Sequence, residues 1–404
     1  MKRNLFSFLS YFLLLIVALH SCKKEEVTPE DKAVSIKSYD FSVVSAANTS
    51  DEGYILNCVD RIVKLDVNGK VQWSKIYTDY LSEDLYNNIA EVFQTMEGGY
   101  ILTYINWEFY SPTNAYKGFI NVIRTDPIGD LIWKRSFSVS KNMDEPLGIY
   151  DFNISNTLQR SLGEYIFISS FSEKSGLNKY IIIKLDANGN LTFKRILDFP
   201  FNDINDEGLI KKAIQTSDNG YLITGFNRSI FAAKLDASFN KQWDNVYNIT
   251  LTDPLANNVI EISANNFAIS GYADVENSTL SNYEYFMIQI DNNGAQQLFK
   301  TFGTGKQDYC FTSSETSDGN IVFLGAKRIL TDYTKEVNMY FVKTNMSGDV
   351  LWENIYGQNY GMEGVHVKQN TDNTFTLIGY KIGYENSAVG QTIYIRTKSD
   401  GSTY

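Results

Sequence analysis

The sequence predicts an all-β fold, a β-propeller of seven four-stranded blades, and three observations predict it. A cassette of about fifty residues recurs along the 404-residue chain. Its clearest copies are Lys64-Leu65-Asp66-Val67-Asn68-Gly69 leading to Trp73 and Tyr77, and Lys343-Thr344-Asn345-Met346-Ser347-Gly348 leading to Trp352 and Tyr356. A period of that size marks a ring or stack of one supersecondary unit. The second-strand signal of the cassette occurs seven times, whereas the fourth-strand aromatic occurs six times, at Trp73, Trp133, Phe193, Trp243, Phe299 and Trp352. A deficit of one fourth strand predicts a ring closed by a strand from the other end of the chain.

Each cassette divides into four strand-like pieces. The last copy shows the first three: residues 364–369, a turn at Thr371-Asp372-Asn373, residues 375–380, and residues 392–397 after a variable loop. Gly and Asn suit the turns because they tolerate the positive φ that tight hairpins need. The strands run apolar or alternate, with many Tyr, Phe, Ile and Val, as a sheet covered on both faces requires. The second strands open at Tyr54, Tyr100, Tyr165, Tyr221, Phe267, Ile321 and Phe375. Seven copies give about 53 residues each, a normal size for a four-stranded blade.

The sequence ends at Asp400-Gly401-Ser402-Thr403-Tyr404, where a last fourth strand would begin. Residues 33–40 precede the first cassette and resemble a spare fourth strand, with Ile36 in the aromatic slot. Docked on the last blade, that strand closes the ring and removes two sheet edges. An open solenoid would need polar caps, and none is visible. Six or eight blades are the alternatives if one weak copy is miscounted.

The N-terminus reads as an address. Lys2 and Arg3 precede a mostly apolar run from Leu5 to Leu19, too short for a comfortable membrane span. The run finishes at Leu19-His20-Ser21-Cys22, which resembles the lipobox of bacterial lipoproteins. That resemblance implies a signal peptide over 1–21, lipid on Cys22 and a membrane partner reached through it. Acyl chains contribute roughly 0.8 kcal/mol per buried methylene, so several chains anchor firmly. Residues 22–33 are charged and read as a tether, leaving 34–404 for the propeller. Lys23-Lys24-Glu25-Glu26 also resembles the charged export tags of surface lipoproteins in the Bacteroidota.

Composition narrows the partners. The chain carries 36 Lys and Arg against 47 Asp and Glu, which argues against nucleic acid and against a polybasic membrane surface. Cys58 and Cys310 lie in strand patterns far apart in sequence; each is read as a small buried hydrophobe, with a disulfide as the alternative.

The run from a glycine-plus-aromatic strand through Ile-Lys-Leu-Asp-x-Asn-Gly to Trp-x-Lys-x-Tyr resembles the repeat of Bacteroidota propeller lipoproteins of unassigned function. Its Asp-x-Asn-Gly-to-Trp part is also similar to the tryptophan-docking repeats of quinoprotein-like propellers and of an eight-bladed outer-membrane assembly lipoprotein. The first resemblance implies an outer-membrane lipoprotein of the cell envelope, surface-exposed or periplasmic; the second implies fold only.

Few residues carry chemistry. The turns at Asp66, Asp186 and Asp291 have closely spaced carboxylate and amide oxygens that would suit calcium. No distant Glu follows at ligand spacing, so they read as Asx-stabilised hairpins, and no metal or other cofactor is expected. The recurrent Trp residues hold one fixed place per blade and are expected to pack between neighbouring sheets. Trp107 differs. With Phe109, Tyr110 and Tyr116 it falls in what reads as a variable loop, either an exposed patch for a glycan ring or protein partner, or a loop folded back on its blade. Connections between blades hold acids, notably Asp84, Glu145, Asp308 and Glu363, which are either a functional rim around the channel mouth or scattered surface charge. His366 is the one histidine outside the leader and sits in an expected inner strand, which excludes a His-rich metal site. No catalytic residue is assigned.

These readings favour a lipid-anchored binding module for a glycan or protein partner. A polysaccharide hydrolase or lyase using rim carboxylates, and an envelope assembly scaffold, are the alternatives.

Overall fold

The computed structural model describes residues 36–77, 91–110, 115–138, 151–161, 163–172, 178–197, 209–227, 229–247, 249, 251–263, 266–275, 282–330, 335–357, 361–382 and 390–404. Cys22, with the leader and tether, lies outside them.

The strands assemble in chain order. After β1 (Ile36–Tyr39), blade 1 is β2 (Val43–Asn48), β3 (Tyr54–Cys58), β4 (Ile62–Leu65) and β5 (Val71–Lys75). Blade 2 is β6 (Glu91–Gln94), β7 (Tyr100–Tyr110), β8 (Ala115–Thr125) and β9 (Leu131–Ser138). Blade 3 is β10 (Asp151–Ser161), β11 (Glu164–Ser172), β12 (Asn178–Leu185) and β13 (Leu191–Leu197). Blade 4 is β14 (Leu209–Gln215), β15 (Tyr221–Asn227), β16 (Ser229–Leu235) and β17 (Lys241–Tyr247). Blade 5 is β18 (Thr252–Ser263), β19 (Asn266–Asp274), β20 (Tyr283–Ile290) and β21 (Gln296–Phe302). Blade 6 is β22 (Gln307–Glu315), β23 (Ile321–Leu330), β24 (Lys335–Thr344) and β25 (Val350–Tyr356). Blade 7 supplies β26 (Met362–Gln369), β27 (Phe375–Lys381) and β28 (Gln391–Thr397), and β1 completes it in the order β1-β28-β27-β26.

The result is a seven-bladed β-propeller closed by its N-terminal strand. All pairings are antiparallel, and β1 docks with Ile36 opposite Ile395 and Tyr39 opposite Thr392. The core is divided into seven clusters, one per seam between neighbouring blades. The seam that closes the ring joins Ile378 and Tyr394 of blade 7 to Phe41, Val43, Tyr54 and Leu56 of blade 1. Hydrogen bonds cross the same seam, from Tyr394 Oη to the Val67 carbonyl at 2.7 Å and from Tyr54 Oη to Asn370 Oδ1 at 3.1 Å.

The recurrent Trp is a docking device between blades. Trp133 Nε1 donates to the Ala187 carbonyl at 2.9 Å, and Trp243 Nε1 to the Asn292 carbonyl at 2.7 Å, each in the Asx turn of the next blade. The ring lies on that turn's glycine: a Cβ on Gly189 would sit 3.0 Å from the Trp133 ring, so glycine serves for close approach as well as for its φ of +77°. Four residues beyond the Trp slot, Tyr77 and Tyr247 donate their hydroxyls to the Gly129 and Gly294 carbonyls at 2.6 and 2.9 Å.

Register corrects two of the slot assignments. In blade 1 the slot lies opposite Lys64, which pairs with Trp73. In blade 5 the corresponding Gln289 pairs with Leu298, so Leu298 holds the slot and Phe299 faces the seam with blade 4. Ile36, opposite Ile395, likewise falls one place past the slot, where Ser74 stands in blade 1. A one-residue offset reverses the face on which a side chain lies, which an aromatic count alone does not detect. Tyr39 occupies the place of Tyr77 and donates its hydroxyl to the Gly69 carbonyl.

A second repeated device went unread. In six blades the Lys or Arg near the end of the third strand is buried or partly buried and reaches an acid at or beside the turn between the first two strands of its own blade. The pairs are Lys64–Asp51 at 2.8 Å, Arg124–Glu97 at 3.6 Å, Lys184–Glu164 at 2.6 Å, Lys234–Asp218 at 2.8 Å, Lys343–Asp318 at 2.7 Å and Arg396–Asp372 at 2.7 Å. Blade 5, with Gln289 at that position, instead sends the amide to the Met346 carbonyl of blade 6. The signal was present as a basic residue at a fixed offset before the Asx turn, paired with an acid in the earlier turn.

Candidate functional site on the loop face of blades 5 to 7

Strand direction sorts the connections onto two faces. The turns between first and second strands and the Asx turns between third and fourth strands share one face. The connections from second to third strands, and from one blade to the next, share the other. On the tight-turn face Asp66 Oδ1 accepts from the Asn68 and Lys70 amides at 2.9 and 2.8 Å, and Asp186 and Asp291 repeat the pattern. These carboxylates thus hold their own hairpins, as the Asx reading expects.

The loop face carries a built cluster across three blades. Tyr272 lies near the end of β19 and Tyr283 begins β20; Tyr309 lies near the start of β22 and Arg328 near the end of β23; Glu363 lies near the start of β26 and Tyr380 near the end of β27. Ile321 to Ala326 of β23 are buried on both faces, and burial relaxes only at Lys327 and Arg328, where the strand nears the loop face. Tyr309 packs edge-on against Tyr272 with ring centroids 4.8 Å apart, and lies 5.2 Å from Tyr283. The Arg328 guanidinium lies 4.6 Å from the Tyr309 ring centroid, in cation–π geometry.

Glu363 organises this group from beneath. It is 3% exposed. Its Oε1 accepts from Arg328 Nε at 3.1 Å and Nη2 at 2.5 Å, and its Oε2 accepts the Tyr380 hydroxyl at 2.6 Å. Burial, followed by the Glu363 charge, pushes the Tyr380 phenol well up, so it stays a donor. Burial and the neighbouring Tyr309 and Tyr283 hold Tyr272 up at about 12. Tyr272 and Tyr380 therefore keep their hydroxyl protons at physiological pH.

Asp308 lies beside them and is fully buried. Its Oδ2 accepts from the Thr304 amide at 2.6 Å, and its carboxylate also meets the Thr304 hydroxyl at 3.0 and 3.1 Å. Burial pushes its carboxyl up to about 6 against the lowering by these bonds and by Lys327, with Glu284 adding to the rise. Asp308 and Glu363 are therefore neither scattered surface charge nor an exposed acidic rim. An acid read in a connection is, in both cases, the first turn of an inner strand, where packing covers it. Asp84 and Glu145 lie outside the described residues.

The Trp107 segment is also corrected. β7 and β8 pair without interruption from Tyr100 opposite Thr125 out to Phe109 opposite Tyr116 and Tyr110 opposite Ala115. Trp107, Phe109, Tyr110 and Tyr116 thus belong to a long hairpin and not to a loop. Ile105, Trp107 and Phe109 do carry the period of two, and Ser111-Pro112-Thr113-Asn114 supplies the turn composition.

His366 lies on inner strand β26, and its Nε2 meets Asn48 Oδ1 of blade 1 at 2.8 Å. Burial, aided by Lys368 and Lys212, pushes it down to about 4, so it is neutral at pH 7. It is a seam residue. Cys58 and Cys310 are free and buried in different seams, and burial pushes both thiols up.

Fold and site together define a β-propeller with a tyrosine–arginine cluster on its loop face. Among solved structures it is similar to the WD40 domain of Neurospora crassa Pan2, with 9% identity, 90% of this chain and 91% of that chain covered, and a TM-score of 0.52. The NanB sialidase of Streptococcus pneumoniae matches with 9% identity, 88% and 83% coverage and a TM-score of 0.51. A protein of unknown function from Bacteroides caccae matches with 11% identity, 70% and 88% coverage and a TM-score of 0.43. Identities this low establish the fold alone. No protein-family profile and no curated protein sequence matches the chain.

Proposed function

We propose that this protein is a lipid-anchored propeller of the bacterial cell envelope, of the kind found in outer-membrane lipoproteins of the Bacteroidota, that binds a glycan or protein partner through its loop face. The observation that carries this reading is the Tyr272, Tyr283, Tyr309 and Arg328 cluster, held in place by the buried Glu363. Partly exposed tyrosine rings beside a guanidinium held by Glu363 offer apolar contact and polar groups without further ordering of long side chains. The long β7–β8 hairpin carrying Trp107 and Tyr110 is proposed as a second contact on the same face. Lipid on Cys22 would supply the anchor.

Binding is favoured over turnover for a geometric reason. Every described hydrogen bond of Glu363 is spent on Arg328 and Tyr380, and Asp308 is closed off by Thr304. Neither carboxylate offers itself to a glycosidic bond as a pair of flanking acids must. The test is a screen of the purified protein against glycans and against envelope proteins, using wild type, Tyr309→Ala and Trp107→Ala. Loss of a selective partner in Tyr309→Ala, with the thermal midpoint retained, is expected. A partner bound equally by wild type and both variants would remove the loop face from consideration.

A further inference from the structure

Strand direction fixes the side of the ring from which the chain enters. β1 pairs Ile36 with Ile395 and Tyr39 with Thr392, and β28 runs out into the tight turn from Lys398 to Ser402. Ile36 is therefore the end of β1 nearer the tight-turn face, and the Lys37 ammonium meets the Asn68 carbonyl of a tight turn there at 2.7 Å. Thirteen residues, 23–35, separate Ile36 from Cys22. At full extension they span at most about 47 Å. Resting on the lipid-anchor reading above, we propose that the tight-turn rim of blades 6, 7, 1, 2 and 3 is a membrane-contacting surface. It seats on zwitterionic lipid through exposed aliphatic side chains and turns the loop face away from the bilayer.

The outer strands β5, β9, β13, β17, β21 and β25 all start at this rim, and their first side chains differ around the ring. Blade 2 opens with Leu131-Ile132, blade 6 with Val350-Leu351, blade 1 with Val71 and blade 3 with Leu191, and all six are exposed. Blades 4 and 5 open with Lys241-Gln242 and Gln296-Gln297 instead. The aliphatic starts thus fall on both sides of blade 7, where the chain from Cys22 enters, and the polar ones on the far side of the ring. Blade 2 adds Met96 and Ile128, each 60% exposed, in its two tight turns. Single exposed aliphatic residues are ordinary on a protein surface. Their restriction, at this one strand position, to the arc around the tether points to an apolar occupant that the tether itself delivers.

Charge selects the kind of surface. Asp126 Oδ1 accepts from the Ile128 and Asp130 amides at 3.0 and 2.7 Å, Lys75 pairs with Asp130, and Asp66 and Asp186 hold their own turns. Acids and bases are mixed along the arc, and the chain as a whole carries a formal charge of −11. Anionic headgroups draw proteins through polybasic clusters. This rim offers aliphatic side chains among balanced charges, which suits a zwitterionic surface entered as far as the boundary between headgroups and acyl chains.

The experiment uses the full lipidated chain in phosphatidylethanolamine–phosphatidylcholine vesicles, with one bimane label per variant at Ile128→Cys, Leu351→Cys, Gln297→Cys or Ile76→Cys. Cys58 and Cys310 are buried and do not compete for the label. Ile128 and Leu351 lie on the arc, Gln297 at the matching place in blade 5, and the exposed Ile76 just past the loop-face end of β5. Phosphatidylcholine brominated high on its acyl chains is expected to quench the Ile128→Cys and Leu351→Cys labels and to leave the other two bright, equally at low and high salt. Adding Ile132→Ser to Ile128→Cys should reduce the quenching while the thermal midpoint holds, since Ile132 is exposed. Equal quenching at all four positions, or quenching confined to Gln297→Cys or Ile76→Cys, would overturn the proposal. Quenching that requires phosphatidylglycerol and fades with salt would overturn the zwitterionic choice. Shielding of the arc labels that appears in detergent and grows with protein concentration would give the arc to a second copy of the chain. An acylated protein whose arc labels stay bright takes down this proposal alone. A soluble protein with unmodified Cys22 by mass spectrometry takes down the anchor reading as well.

Discussion

Asp308 shows how far a single residue can depart from its appearance in the sequence. In the sequence it reads as an acid in a connection, yet it lies on β22, fully buried, hydrogen-bonded to Thr304 and raised to about 6 chiefly by burial. A carboxyl raised above its unfolded value of 3.8 contributes stability that is full below that value and lost as pH rises through about 6. At pH 7.5 the charged form is a net cost, so Asp308→Asn is expected to stabilise the protein there by up to about 2 kcal/mol. At pH 4 the variant should gain nothing. Urea titrations at the two pH values check this, and an equal shift at both would refute it. His366, held down at about 4, has the opposite sign: its stability is present above its unfolded value and falls as pH drops toward about 4. Both proteins keep His366, so its contribution cancels in the comparison.

At the scale of one blade, the informative unit is the buried cation beneath the first turn. Lys234 is completely buried, and its ammonium meets both oxygens of Asp218 at 2.9 and 2.8 Å. Burial pushes the Asp218 carboxyl up, but the bonds from Lys234, Thr216 and the Gly220 amide outweigh it and bring the group down to about 2. Removing the carboxylate strands a buried charge, whereas removing the charge with its stem kept does not. Asp218→Ala is expected to cost roughly 2–3 kcal/mol, discounted because the carboxylate is about a third exposed, and Lys234→Met less than about 1.5 kcal/mol. Denaturant midpoints of the two variants would decide the order, and a costlier Lys234→Met would show that the pair itself is strongly favourable. This element was half legible: the repeated Lys was part of the cassette, but its burial depends on an acid in a different hairpin. The same limit explains Phe299 and Ile36. An aromatic or apolar residue can be seen near the expected place, yet only pairing with the neighbouring strand tells which face it takes.

For the whole molecule, stability depends on the ring being closed. β1 covers the edge of β28, and Tyr39 and Phe41 contribute to the seam between blades 7 and 1. A chain beginning at Ser42 should therefore melt at a lower temperature and self-associate, since it exposes the β28 edge and the Gly69 turn together. Thermal melts and light scattering on that truncation test the point, and an unchanged midpoint with monodisperse behaviour would show that blade 7 stands on three strands.

The sequence by itself determined the class, the number of blades, the docking role of the Trp residues and the closing strand, because each repeats a local pattern whose period survives divergence. Strand alternation and turn chemistry are properties of adjacent residues, so they are written in the chain seven times over. The loop-face site is of another kind. Tyr272, Tyr309, Arg328 and Glu363 come from three blades, have no fixed spacing and were read, where they were read at all, as separate rim residues. Only the packing of blades 5, 6 and 7 against one another brings those strand ends together, and only that packing decides that Glu363 lies beneath Arg328 and not in water.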